Sequence, residues 1–181
     1  MQFTAKSDSA GQQDWNTASL SALIGHIVSV HHEYLKAELP RIQNQLEVVY
    51  AANRETDAAI LAALPEIVFL MKDELDLHMH KEECTLFPAI EETERAANGG
   101  HPASHVAELI YPIRVMLAEH ESATASMEKI RQITRDYAAP AHACDLYRGL
   151  FLAFEELERD LLRHIRLEND ILFPRALALQ S

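Results

Sequence analysis

The chain has 181 residues, which suits one domain with a sizeable core, and its 48% hydrophobic and 24% charged residues are typical of a globular protein. Sixteen Lys and Arg against 28 Asp and Glu leave a net charge of −12, which disfavours nucleic acid and anionic membranes as partners. No apolar run approaches about 18 residues and the N-terminus carries no signal-peptide pattern, so we expect a cytoplasmic protein. Ten histidines are many for this length and are the first indication of a metal.

Four long helices are predicted in chain order, after a polar leader that we place at residues 1–18. Breaks between them fall near residues 52–57, 98–102 and 139–140, where turn-forming residues occur. The segments between the breaks are each about 25–35 residues long, with apolar residues three and four positions apart. Short connections favour an antiparallel, up-down packing. The predicted fold is therefore an all-α four-helix bundle that occupies residues 19–181.

Each predicted helix has one stripe of core-facing positions. The four stripes run, in chain order, from Val28 through His32 to Val49, from Leu61 through His78 and Glu82 to Leu86, from Ile113 through His120 to Ile130, and from Leu150 through His164 and Glu168 to Leu172. Four prolines lie within or beside the predicted helices. We expect Pro40, Pro88 and Pro174 to kink or end their helices, and Pro112 to lie in the first turn of the third helix.

The two halves of the chain repeat one pattern. HMHKEECTLFP begins at His78 and HIRLENDILFP begins at His164, and both place Glu four residues after His, with Leu-Phe-Pro completing the motif. His32 and His120 precede the two motifs at nearly equal distances. This arrangement indicates an internal duplication with a pseudo-two-fold axis through the bundle, and such an axis would hold two equivalent metal ions.

Six polar residues on the stripes point to metal: His32, His78, Glu82, His120, His164 and Glu168. Glutamate is almost never fully buried unless it is paired or bound, and no stripe supplies a Lys or Arg. His and Glu four residues apart share one helix face, so both can reach one ion, or the Glu can bridge two. Imidazole and carboxylate without thiolate suit iron or manganese, with zinc as a further alternative. A lone buried His is more often a hydrogen-bonded core residue, but two matching sets argue for metal over a purely structural bundle.

Other polar residues near the stripes receive simpler interpretations. His31 and His80 are about 100° away from their stripes and are expected to lie outside the core. Cys84 and Cys144 are too few for a disulfide framework or a thiolate site, and we expect them to be packing residues, with a redox role for Cys84 as the lesser alternative. Glu74 and Glu119 could orient imidazoles, but exposed helix positions are the favoured interpretation.

These motifs, together with HHEYLKAELP from His31 and VMLAEHE from Val115, resemble the haemerythrin-like domain of the repair-of-iron-centres proteins, from about Leu23 to Leu179. The resemblance implies a di-iron centre bridged by an oxo group and by carboxylates, with the six residues above as ligands. It implies the repair of iron–sulfur clusters damaged by nitrosative or oxidative stress through iron supply, with damaged iron–sulfur proteins and NO or O2 as partners. Many members carry an N-terminal domain with a cysteine pair, which we expect this chain to lack.

Other functions of such a centre remain open. A di-iron site can bind, scavenge or reduce nitric oxide, oxygen or peroxide, and a sensor module is a further alternative; we favour an iron donor over a turnover enzyme. An oxygen carrier of the blood type is disfavoured. That pattern resembles five histidines and an Asp, whereas here Thr124 stands four residues after His120, and Glu168 four after His164.

Overall fold

A computed structural model describes residues 13–100 and 108–180, and within these ranges the only regular secondary structure is helical. Helix α1 (residues 20–53), α2 (64–97), α3 (110–133) and α4 (145–178) are the four long elements. Helices α1, α2 and α4 each contain an internal π-helical turn. Their segments are Leu20–His26, Ile27–His32 and Glu33–Asn53 in α1; Leu64–Lys81, Glu82–Leu86 and Phe87–Ala97 in α2; Ile110–Ile133 in α3; and Asp145–Arg166, Leu167–Leu172 and Phe173–Ala178 in α4.

The helices begin and end close to the predicted breaks. Ser19 caps α1, because its side chain accepts a hydrogen bond from the Ala22 N–H. A short helical turn, Ala58–Leu61, joins α1 to α2, and Pro65 lies in the first turn of α2, where its missing N–H costs nothing. Most of the predicted leader lies outside the described residues, so the division at residue 18 stays a prediction.

The four helices form the predicted bundle. Helix α1 packs against α2 and α4, and α3 packs against the same two helices. Two apolar clusters fill the interior. One includes Leu35, Val68, Met127 and Leu157, and the other includes Leu23, Phe87, Met116 and Phe173. In each helix, the residues of the two clusters lie on either side of the polar stripe positions, so the bundle has a polar layer between two apolar layers. No helix in the described ranges is long and apolar enough to span a membrane.

The π-helical turns change which side chains face the core. A π turn holds more residues than an α turn, so it shifts the register of everything on its far side. In α1 the shift buries Ile27 completely and leaves Val28, the predicted stripe residue, only half-buried. It also turns both His31 and His32 inward. The predictions for Val28 and His31 were therefore wrong, because they assumed uninterrupted α-helical periodicity.

The prolines inside the helices do not end them. Helix α1 continues through Pro40 as far as Asn53. Pro88 and Pro174 each follow a π turn, in which Phe87 and Phe173 donate their N–H groups to the carbonyls five residues back. A proline ring clashes with the carbonyl four residues earlier in a regular α-helix, and the wider turn offers a way to relieve that clash. Pro112 lies in the first turn of α3, as predicted.

Candidate metal centre

All six predicted residues meet in the polar layer, and each is at most 3% exposed. They form two groups of four that share both glutamates. We name them position A (His32, His164, Glu82 and Glu168) and position B (His78, His120, Glu82 and Glu168). Within each group the candidate ligand atoms lie within 4.8 Å of one another. The shared carboxylates therefore stand where they could bridge two ions.

The imidazole rings present their Nε2 atoms to one another. His32 Nε2 lies 3.2 Å from His164 Nε2, and His78 Nε2 lies 3.1 Å from His120 Nε2. In three of these rings an oxygen atom faces Nδ1 and fixes the N–H there, which leaves Nε2 with a lone pair. At position B both rings, His78 and His120, present such a lone pair, and two lone pairs 3.1 Å apart repel each other. A cation between the rings turns that repulsion into attraction.

The two buried carboxylates also have few hydrogen-bond donors among the described residues. Glu82 Oε2 lies 3.3 Å from His32 Nε2 and 3.4 Å from His78 Nε2, but neither oxygen of Glu82 makes a hydrogen bond within the described part of the chain. Glu168 lies 3.0 Å from both His120 and His164 through different oxygens. A buried carboxylate without a partner is unstable by several kcal/mol. The donor set therefore fits a pair of cations.

Without a cation, burial and neighbouring groups shift the pKa values of three of the six residues far from their ordinary values. Burial, reinforced by the neighbouring Glu168 carboxylate, raises the pKa of Glu82 to about 8. Burial also acts to raise the pKa of Glu168, but the imidazoles of His164 and His120 outweigh it and hold that pKa well below its usual range. Burial and the adjacent His120 ring lower the pKa of His78 to about 4. One glutamate is thus driven towards its neutral form while the other stays charged.

Three side chains hold the outer nitrogens of the imidazoles. His32 Nδ1 donates to Glu83 at 2.7 Å, His78 Nδ1 to Glu119 at 2.9 Å and His120 Nδ1 to Asn169 at 2.8 Å. Lys36 pairs with Glu83. Such contacts orient an imidazole and make it a stronger metal ligand.

The roles of these outer residues were largely missed by the sequence interpretation. Glu119 was expected to be exposed, but its side chain is only 33% exposed and contacts both His78 and Lys81. Burial acts to raise the pKa of Glu119, but its hydrogen bonds with Lys81 and His78 outweigh it and lower that pKa. Glu83 and Asn169 were not singled out. The internal repeat carried a signal for them, because each directly follows one of the repeated glutamates.

The fourth imidazole lacks such a contact. His164 Nδ1 is buried and makes no hydrogen bond within the described residues. Its ring stacks on His31, with centroids 5.6 Å apart and planes 7° from parallel. His31, which was expected to lie outside the core, is fully buried and donates from Nδ1 to Asp160 at 3.0 Å.

The remaining candidates lie outside this cluster. Glu74 is exposed, as favoured, and accepts a hydrogen bond from Ser122. His80 is exposed, as predicted. Cys84 and Cys144 are both exposed thiols, so their assignment as packing residues was wrong. Exposure at single positions next to a buried stripe depends on neighbouring helices and could not be obtained from periodicity alone.

Two clefts reach the centre from the surface. One, of about 270 Å³, lies between α2 and α3 and is lined by His78, Lys81, Glu119 and His120 among others. The other, of about 240 Å³, lies between α3 and α4 and reaches His120 and Asn169. Both clefts therefore approach position B.

Residues 23–176 match the Hemerythrin HHE cation binding domain. The chain belongs to this family. The match includes all six residues of the polar layer, and it confirms the resemblance seen in the motifs. The fold is therefore a cation-binding one.

Several proteins similar to this chain are named iron–sulfur cluster repair proteins. The chain is 35% identical over 166 residues to the iron–sulfur cluster repair protein YtfE of Dickeya chrysanthemi, which covers 92% of this chain and 70% of the relative. It is 34% identical to YtfE of an Enterobacter species over the same shares of the two chains. The match with YtfE of Cronobacter sakazakii is 32% over 177 residues, 98% of this chain and 75% of the relative.

Proposed function

We propose that this protein holds two iron ions in the polar layer and supplies iron for the repair of iron–sulfur clusters damaged by nitrosative or oxidative stress. The observation that carries the proposal is the pair of four-residue groups that share two buried carboxylates. Its family relatives named for iron–sulfur cluster repair support the same function.

Each residue has a defined part in this proposal. His32 and His164 would hold one ion, His78 and His120 would hold the other, and Glu82 and Glu168 would contribute to both. A bound iron pair supplies reversible one-electron chemistry. Nitrogen and oxygen donors without thiolate favour iron or manganese over the metals that select sulfur, so manganese and zinc are the competing ions to be tested.

The surroundings of the site suit a protein that both holds and gives up an ion. The apolar layers on either side keep the two carboxylates in the interior, where a low dielectric strengthens their attraction for a cation. The cleft between α2 and α3 reaches the edge of the centre at His78 and His120, so the centre is accessible from the surface on that side. Iron is the cargo in this reaction, and the damaged cluster protein is its acceptor.

The test is metal content followed by iron transfer. Protein purified under anaerobic conditions should contain about two iron ions per chain, and should rebuild the cluster of an apo-ferredoxin supplied with a cysteine desulfurase and cysteine. His164→Ala removes one imidazole of position A and should lower both the iron content and the transfer. His80→Ala is the matched control, because His80 is exposed and outside both positions. Zinc alone in the protein, or tightly held iron that never reaches the acceptor, would overturn the proposal.

A second function, the binding or reduction of nitric oxide, oxygen or peroxide, is favoured by one observation. Two clefts open to the surface beside position B, where a small molecule would meet His78 and His120. Sustained consumption of nitric oxide by the iron-loaded protein with a reductant, lost in His120→Ala, would support turnover. Uptake that stops after one equivalent per site would favour iron supply instead.

A further inference from the structure

The internal repeat makes the outer contacts of the two metal positions directly comparable. It matches His32 with His120, His78 with His164, and Glu82 with Glu168. The same alignment matches the residues that follow the glutamates, Glu83 and Asn169. It also matches the residues that precede the histidines of α1 and α3, His31 and Glu119.

The first outer pair behaves alike in both halves. Glu83 accepts from His32 Nδ1 at 2.7 Å, and Asn169 accepts from His120 Nδ1 at 2.8 Å. Since His32 belongs to position A and His120 to position B, each position has one imidazole held in this way.

The second outer pair does not behave alike. In one half Glu119 accepts from His78 Nδ1 at 2.9 Å. In the other half the matched residue is His31, whose own Nδ1 is engaged by Asp160. His31 stacks on the face of His164 instead of meeting its edge, and the buried His164 Nδ1 has no hydrogen bond to any residue in the ranges 13–100 and 108–180. Position B therefore has two oriented imidazoles, and position A has one.

From this difference we infer that the two metal positions are unequal: position B binds its ion more tightly and fills first, and position A holds the exchangeable ion. The inference rests on the proposed two-ion centre. Loss of the outer hydrogen bond of a ligating His typically lowers metal affinity by about 10–100-fold. The missing bond on His164 should separate the two affinities by about that factor.

The inequality would give the protein a defined intermediate. At limiting iron, each chain would carry one ion at position B. The occupancy of position A by a second ion would rise and fall with the free iron concentration. The exchangeable ion is then the one available to an acceptor. His31 is a positioning residue in this scheme, because it acts on the metal only through His164.

The experiment is an anaerobic titration of the metal-free protein with ferrous ion, in competition with a chromogenic chelator, so that the two binding steps give separate dissociation constants. Glu119→Gln and Glu83→Gln form a matched pair of variants. Each weakens the side chain that accepts from one histidine Nδ1, and each of these two side chains also contacts a lysine. Glu119→Gln should weaken the first step by about tenfold or more. Glu83→Gln should leave the first step unchanged and weaken the second. The inference fails if Glu83→Gln weakens the first step, or if the two variants weaken it equally.

A variant that is expected to bind iron more tightly gives a further test, because a misfolded protein would lose affinity instead. His31→Gln places an amide beside His164, where its oxygen can accept from Nδ1 and its NH2 group can donate to Asp160. The second step should tighten by about tenfold and approach the first. His80→Gln, an exposed replacement of the same kind on α2, should change neither step.

An unchanged or weakened second step in His31→Gln would overturn the assignment of the inequality to His164. Uptake of fewer than two ions by the unaltered protein would instead count against the proposed two-ion centre itself. The two failures are therefore distinguishable in the same titration.

Discussion

Replacement of Glu82 by Gln should stabilise the metal-free protein while it abolishes the two-ion centre. Glu82 is fully buried and its carboxylate makes no hydrogen bond among the described residues. Burial and the charge of Glu168 raise its pKa from 4.5 to about 8. Each pH unit in that interval costs about 1.4 kcal/mol of folding free energy, so the cost at pH 7 is about 3 kcal/mol. Gln has nearly the same shape, carries no charge and can donate to the Nε2 atoms around it.

The sign of the pH dependence follows from which state binds the proton. With a raised pKa, folded Glu82 keeps a proton that the unfolded chain has lost, so stability should fall as pH rises from 4.5 to about 8. His78 acts in the opposite direction below about pH 6.5, because its pKa is lowered to about 4 and the unfolded chain binds the extra proton there. The contribution of Glu168, whose pKa is lowered, is complete above its ordinary pKa of 4.5. Of these three groups, Glu82 therefore contributes most to the pH dependence between about pH 6.5 and 8.

The assay is urea unfolding of chelator-treated protein, followed by far-ultraviolet circular dichroism across that window. The unaltered protein should lose about 1–2 kcal/mol between pH 6.5 and 8, and Glu82→Gln should lose almost none. Glu83→Gln is the matched control. Burial acts to raise the pKa of Glu83, but hydrogen bonds from Lys36 and His32 outweigh it and lower that pKa, so this variant should leave the slope unchanged. A metal-free Glu82→Gln protein that is no more stable than its parent at pH 8 would refute the reasoning.

Three further predictions concern the site, the core and the thiols. His164→Ala should bind fewer than two ions per chain, measured by mass spectrometry of the intact native protein, because position A loses one of its two imidazoles; two retained ions would contradict the assignment. Phe154→Ala, in the apolar cluster beyond the site, should lower the free energy of unfolding by about 3–5 kcal/mol, measured in urea, and leave two ions bound per chain. A loss of metal in this variant would show that the two regions are not independent. Cys84→Ser and Cys144→Ser should change neither metal content nor stability by more than about 0.5 kcal/mol, because both thiols are exposed; a fall in bound iron would give Cys84 a role in the site.

Most of the bundle could be predicted because its signals are local. Spacings of three and four place Leu35, Val68, Met127 and Leu157 inside, and all four are buried. The duplicated His-x-x-x-Glu motifs brought His78 with Glu82 and His164 with Glu168 onto the core stripes, where the structure finds them. Neither inference needed knowledge of how the helices pack, because a polar residue on an apolar stripe is unusual whatever its partner is.

The errors arose where a helix departs from 3.6 residues per turn. The π turn at Ile27–His32 carries one extra residue, and this change of register moved Val28 outward and His31 inward. A similar turn lets α2 and α4 run through Pro88 and Pro174. Apolar periodicity assumes 3.6 residues per turn throughout a helix, so it does not show where a π turn occurs.

The sequence by itself determined four amphipathic helices, the duplication and the six polar residues of the centre, because each depends on spacing along one chain segment. Only the tertiary structure decided that Glu82 and Glu168 are shared by both groups, that Glu83, Glu119 and Asn169 hold three imidazoles, and that the fourth, His164, stacks on His31. These contacts join residues of different helices, and their existence depends on the rotation of each helix about its own axis. Periodicity shows which face of a helix is buried, but a hydrogen bond requires the position of a single atom on the facing helix.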